Sequence, residues 1–175
     1  MKAEVYELPE LLNQYDEPTN NLTLLYSGLG EDQVNEIPYP DSWTPGQLFQ
    51  HIYLYVDGIA NEILIETEKI NRDPTLALDG LQQTFLDFNT KMKSPDFIDP
   101  EDKLYEKQVS IDQLKSAFNL LKENAAHIDM NEEMKDFPVG KVSKLEILHF
   151  VVYHTQRHLR QLKKMVDAFD KNKQQ

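Results

Sequence analysis

The sequence predicts an all-α fold, a four-helix bundle formed as a single domain over residues 1–175. Three observations carry that prediction. Apolar residues recur at spacings of three and four along long stretches, the period of a helix that buries one face. Two of these stretches open on Ser-x-x-Gln or Ser-x-x-Glu, the capping-box pattern that satisfies the first free N–H groups of a helix. At 175 residues the chain is too short for two comfortable cores, and no internal repeat or Gly/Ser linker divides it.

The first helix is predicted from about Tyr6 to Leu29. Leu8, Leu11, Leu12, Leu22, Leu25 and Leu29 supply its apolar positions, and Gly28 and Gly30 mark its end. Pro18 kinks or splits it, because proline removes a donor and crowds the carbonyl four residues back.

A proline-rich loop, Ile37-Pro38-Tyr39-Pro40, precedes the second helix. Ser42 or Thr44 can cap it, and Pro45 falls in the first turn, where the missing N–H costs nothing. Leu48, Ile52, Tyr55, Val56, Ile59, Ile63 and Ile70 keep helical spacing, so the helix is expected to reach about Ile70.

Residues 73–107 read as an irregular excursion. Leu78, Leu81, Phe85 and Phe88 could share a helix face, whereas Ser94-Pro95 and Asp99-Pro100 force breaks. The third bundle helix is expected from Ser110, through Leu114, Phe118, Leu121 and Ile128, to about Asp129, with Ser110 and Gln113 as its capping box. The last helix follows Phe137-Pro138-Val139-Gly140, is capped by Ser143 and Glu146, and reaches about Phe169.

Composition excludes several functions. Hydrophobic residues make up 40% and charged residues 27%, a globular balance. With no cysteine, disulfides, thiolate metal sites and cysteine nucleophiles are all ruled out, so any metal must use His or carboxylate ligands. The net charge of −12 argues against nucleic acid, whose binding rests on Lys and Arg neutralising phosphates. The segment Met1–Glu10 lacks the basic flank and apolar run of a secretion signal, and no apolar run approaches the roughly 20 residues of a membrane span. A cytoplasmic protein without membrane contact is expected.

Chemistry concentrates on the last helix. Leu145, Leu148, Val152, Thr155, Leu159, Leu162 and Val166 form a predicted core seam. Beside it runs a second row of Ile147, Val151, His154, His158, Gln161 and Met165. Histidines at i and i+4 project from one side of a helix, about 5–6 Å apart at Cβ, close enough to share one ion. Two ligands bind weakly, and His51, in the second turn of the second helix, qualifies as a third.

Three neutral imidazoles without a thiolate leave coordination positions for water or substrate, as catalytic zinc does; imidazole also suits nickel and iron. The bland reading is a pair of buried histidines with hydrogen-bond partners and no ion. His149 and His127 fall off both rows and are expected at exposed or rim positions. Arg157 and Arg160 read as surface or interhelix charges, with Arg157 near enough to His158 to meet an anionic ligand, and Tyr55 and Gln161 read as packing and hydrogen-bonding residues. One strain remains. If both helices start at the same end of the bundle, His51 lies about 10 Å along its helix, against about 16 and 22 Å for His154 and His158.

The segment Ser42-Trp43-Thr44-Pro45-Gly46-Gln47-Leu48-Phe49-Gln50-His51-Ile52 occurs in one chain with Gly140 to Leu148 leading into His154-Thr155-Gln156-Arg157-His158-Leu159-Arg160-Gln161-Leu162. Together they resemble the DinB/YfiT-like superfamily, whose members show a Trp-Ser/Thr entry to a helix bearing one histidine and a final helix with His-x-x-Arg-His. The match is clearest over residues 42–60 and 137–165. The resemblance implies a four-helix bundle, often a homodimer, with His51, His154 and His158 holding a divalent ion. Zinc or nickel come first, with iron and manganese as further candidates.

Some relatives are thiol transferases using low-molecular-weight thiols such as bacillithiol, mycothiol or glutathione. Others are assigned as metal-dependent hydrolases or isomerases, and many have no known reaction. The resemblance thus implies a metal-dependent enzyme that activates a thiol or water toward a small-molecule substrate. The alternative is a non-catalytic metal-binding module for stress response or ligand binding. Residues 73–107 depart from the shortest members, so the substrate does not carry over.

Overall fold

The computed structural model describes residues 2–90, 92–134, 137–138 and 140–172; Val139, in the turn predicted before the last helix, lies outside them. The chain is mostly helical. In order come α1 (Leu8–Asn13), α2 (Asp16–Ser27), α3 (Glu31–Val34), α4 (Pro45–Glu62), α5 (Leu78–Leu86), a 3-10 turn (Asp96–Ile98), α6 (Lys107–Ala125) and α7 (Lys144–Asn172). A small antiparallel pair joins β1 (Glu133–Met134) to β2 (Val142–Ser143). No helix among the described residues is long and apolar enough to cross a membrane.

The predicted first helix is two, α1 and α2, with the short α3 following it. Pro18 sits in the first turn of α2 and cannot bond the Gln14 carbonyl, so the helix breaks at Gln14–Tyr15 and restarts. Gly28 ends α2 and Gly30 caps α3.

α4 starts where expected. Thr44 Oγ1 accepts from Gln47 N at 3.1 Å and Gln47 Oε1 accepts from Thr44 N at 3.0 Å, a reciprocal cap. It ends at Glu62 and not at Ile70. Beyond Ile63 the backbone turns to residues 131–133, Ile70 N donating to Asn131 O and Glu133 N to Glu68 O. Those bonds replace the helical ones.

α6 begins at Lys107, one turn before the predicted Ser110. Ser110 is buried inside the helix, its hydroxyl donating to Glu106 O at 3.0 Å, so the predicted capping box does not form. The cap of α7 does form, with Glu146 N donating to Ser143 Oγ at 3.0 Å and Ser143 N to Glu146 Oε2 at 2.8 Å.

Paired contacts set the helix directions. Asp16, opening α2, pairs with Lys122 near the end of α6, and Glu31, just past α2, pairs with Lys107 at the start of α6, so these helices are antiparallel. Gly46, at the start of α4, lies under Tyr105, just before α6. Near the other end Asn124 Nδ2 donates to Ala60 O at 2.7 Å, so α4 and α6 are parallel. On α7, His158 is the nearer ring to His51 and His154 the nearer ring to Tyr55, so α4 and α7 are antiparallel.

This resolves the predicted strain, because the two histidine-bearing helices do not start at the same end. It also explains the excursion. A parallel α4–α6 connection must travel back along a helix of about 27 Å, and residues 63–106 make that return across α7. There α5 buries Leu78, Leu81 and Phe85 against α7, while Phe88 lies beyond the helix and is partly exposed.

Candidate metal centre

The length of α7 decides what its side chains meet. From Ile147 to Thr155 every residue is buried, since α2, α4 and α5 cover different sides of that stretch. The second predicted row is the deeper one. Ile147, Val151 and Met165 are fully buried, whereas Leu145, Leu159 and Val166 of the first row are only partly so. His154 and His158 therefore project into the interior.

His51 meets them from α4. One ring nitrogen from each of His51, His154 and His158 lies within 4.8 Å of the others, and all three residues are at least nine-tenths buried. The structure thus brings together the three histidines that the sequence singled out.

The hydrogen bonds of the rings set their tautomers. His51 Nδ1 is 2.9 Å from the Ile98 carbonyl, which can only accept, so Nδ1 carries the proton and Nε2 a lone pair. His158 Nδ1 likewise donates to Gln161 Oε1 at 3.1 Å, leaving its Nε2 as an acceptor. His158 Nε2 faces His154 Nε2 at 2.9 Å. His154 Nδ1 is buried without a hydrogen-bond partner among the described residues, so the contact with His158 Nε2 alone sets the tautomer of that ring.

This donor set fits a divalent cation. Partners on the Nδ1 atoms of His51 and His158 leave their Nε2 lone pairs free, the usual support of a metal-bound imidazole. No carboxylate joins the group among the described residues. Burial holds all three rings below the ordinary histidine pKa. It does so strongly for His154 and His158, where neighbouring imidazoles and Arg157 oppose protonation further. Neutral imidazole is the form that binds metal.

Aromatic rings pack around the cluster. Tyr55 lies 4.4 Å, Phe150 4.9 Å and Phe85 5.2 Å from the His154 ring, and Trp43 lies 5.0 Å from His51. Tyr55 Oη bonds Thr155 Oγ1 at 2.8 Å, and Thr155 in turn donates to Val151 O, so Tyr55 is a packing residue as predicted. A cavity of about 1250 Å³ reaches the three histidines and is lined by both α4 and α7 and by the excursion.

Two positions, His149 and Arg157, differ from or add to the sequence reading. His149 is not at a rim but buried beneath the N-terminal segment, its Nδ1 donating to Leu145 O and its Nε2 accepting from Tyr6 N. His127 is exposed, as expected. Arg157 bonds the carbonyls of Phe85, Asp87 and Thr90 and so ties the excursion to α7.

Sequence reasoning missed Ile98 and Ser94, whose hydroxyl is 3.4 Å from His51 Nδ1. The two proline breaks around them are the only sequence signal of an ordered turn there, and a backbone carbonyl leaves none.

Residues 14–162 match the model of the DinB superfamily. No curated protein and no solved structure matches the chain.

Proposed function

The chain belongs to the DinB superfamily, and from that premise we propose that it is a divalent-metal-dependent enzyme with the architecture of a four-helix bundle, acting on a small molecule. One observation carries the reading: three inward-facing imidazoles stand at a cavity of about 1250 Å³ and no fourth protein ligand joins them among the described residues. A purely structural ion is normally enclosed by four protein ligands, whereas a catalytic one keeps a position open.

A divalent ion in this setting supplies Lewis acidity that activates a thiol or water for attack on an electrophile. The chain's own residues supply the rest. His51 and His158 are oriented through Ile98 O and Gln161. Phe85, Phe150 and Tyr55 exclude bulk water from the histidines and offer apolar contact to the body of a substrate. The access given by the cavity favours this reading over a non-catalytic module.

Metal analysis of the purified protein followed by assays of thiol conjugation to electrophiles tests the proposal. Activity is expected to require metal and to fall at least a hundredfold in His51→Ala, His154→Ala and His158→Ala. Conjugation that is indifferent to all three substitutions would overturn it.

A further inference from the structure

Charge is distributed unevenly around the cavity. The chain carries 30 acidic and 18 basic residues, yet five basic side chains line the cavity against three acidic ones, Asp41, Glu62 and Asp167. Four of those five follow one another on α7: Arg157, Arg160, Lys163 and Lys164.

Ion pairing makes the contrast sharper. Eight other cations, among them Lys69, Arg72 and Lys144, pair with carboxylates. None of the four on α7 does so among the described residues, although the chain is rich in carboxylates. Arg157 is engaged by three excursion carbonyls. The other three keep donors available. Arg160 lies over the Phe88 ring at 4.4 Å and Lys164 over Tyr39 at 4.5 Å, contacts with π faces that consume no N–H, and Lys163 is exposed.

Arg160 and Lys164 are four apart and so stand on one side of α7, next to the row that bears His154 and His158. A positive rim on a low-dielectric cleft concentrates anions there even when the protein as a whole repels them. The aromatic walls beneath the rim suit an apolar body.

Resting on the metal-centre reading above, we propose that the substrate or co-substrate of this site is an anionic small molecule. Its oxyanion, a carboxylate or a phosphate, meets Arg160, Lys163 and Lys164 at the mouth, while its apolar part lies along Phe85 and Phe150 toward the histidines.

The only tryptophan in the sequence, Trp43, lines this cavity, so its fluorescence reports occupancy. Hexanoate, hexyl phosphate and hexanesulfonate are titrated against hexanamide and hexylamine, at low salt, with the metal-loaded protein. The sulfonate is included because it is a weak metal ligand, which separates rim binding from direct coordination. All three anions are expected to saturate the signal at concentrations at least tenfold below the amide, with hexylamine weaker still. The relative strengths of carboxylate and phosphate identify which oxyanion the rim prefers.

Lys163→Gln combined with Lys164→Gln is expected to weaken the anions at least fivefold while leaving the amide unchanged and the bound metal stoichiometric. An amide that binds as well as the anions, or anion affinity unmoved by the double substitution, would overturn the proposal. The wild-type ligand series decides the matter even if the variant is poorly folded. Anion preference in a protein that retains no metal would sink the metal-centre reading alone, and retained metal without anion preference would sink this one alone.

Discussion

His154 and His158 face each other through their Nε2 atoms at 2.9 Å. Without an ion only one of the two nitrogens can hold a proton, and the other must accept it. His154 Nδ1, on the far side of its ring, is buried and has no partner among the described residues, a cost of about 1–3 kcal/mol for a polar group deprived of a partner. A cation held by the two Nε2 atoms, as proposed above, would replace their competition for one proton with two coordinate bonds.

Metal should accordingly stabilise the fold. At a free zinc concentration a hundred times the dissociation constant, mass action adds about 2.7 kcal/mol. Thermal unfolding before and after treatment with a chelator should show a fall of several degrees, reversed on adding zinc or nickel. In His158→Ala the chelator should have no effect, and a shift that persists there would place the ion elsewhere.

Gln161 orients His158 without touching the proposed ion. Removing such an outer hydrogen bond typically costs ten- to a hundredfold in metal affinity. Gln161→Leu should weaken zinc binding by that factor in a competition titration with a chromophoric chelator, while its far-UV circular dichroism stays that of the parent. Glu, which can still accept from Nδ1, should restore most of the affinity at this position.

Much of this site was legible because its two helices announce themselves. Thr44-Pro45 and Ser143 through Glu146 are local start signals, and both caps form. The features that were not legible depend on distant partners. Helical periodicity carries no direction, so the antiparallel course of α4 and α7 could not be read from it. The end of α4 at Glu62 depends on residues 131–133, and the burial of His149 depends on Tyr6. Ser110 misled because a serine that bonds back to a carbonyl four residues earlier has the same local sequence as one that caps.

The buried histidines also make stability depend on pH. His51, His149, His154 and His158 are all held below the ordinary value, chiefly by burial. Below about pH 6.5 the unfolded chain takes up protons that these folded rings refuse, so stability is present above that pH and lost as pH falls through it. Urea unfolding of the chelator-treated protein should show stability declining as pH falls from about 6.5 toward 5, with His154 and His158 the largest contributors. His154→Phe should flatten the slope, and a profile flat from pH 7 to 5 would contradict the burial of neutral rings.

Gly46 is required by close packing and not by an unusual backbone angle. A Cβ built there would lie 2.7 Å from Tyr105 Cβ and 2.8 Å from its Cδ2, closer than carbon atoms tolerate. Gly46→Ala should destabilise by about 1–3 kcal/mol, the usual cost of overpacking, and should shift the first turns of α4 that carry His51. Pairing it with Tyr105→Ala should recover part of the loss, a non-additivity visible in a double-mutant cycle. Strict additivity would mean that the two residues are not in contact.

The excursion that walls the cavity is anchored by one buried carboxylate. Glu146 is fully buried; it accepts from Arg72 Nη1 at 2.8 Å and Nη2 at 2.7 Å, from Ala77 N at 2.6 Å and from Ser143 N at 2.8 Å. It thus caps α7, neutralises Arg72 and fixes the segment leading into α5. Removing one partner of a buried pair strands the other charge and typically costs about 3–5 kcal/mol. Arg72→Met strands the fully buried Glu146 carboxylate and should lose that much in denaturant unfolding. Glu146→Ala leaves Arg72 partly exposed with the Asp73 and Lys141 carbonyls as partners. It strips Ala77 N and Ser143 N of their acceptor and removes the α7 cap, so it should be comparably destabilising. Since α5 carries Phe85 against His154, the glutamate variant should also open the residue 73–90 amides to faster hydrogen exchange. Unchanged exchange there, alongside the stability loss, would show that Arg157 alone suffices to hold the wall.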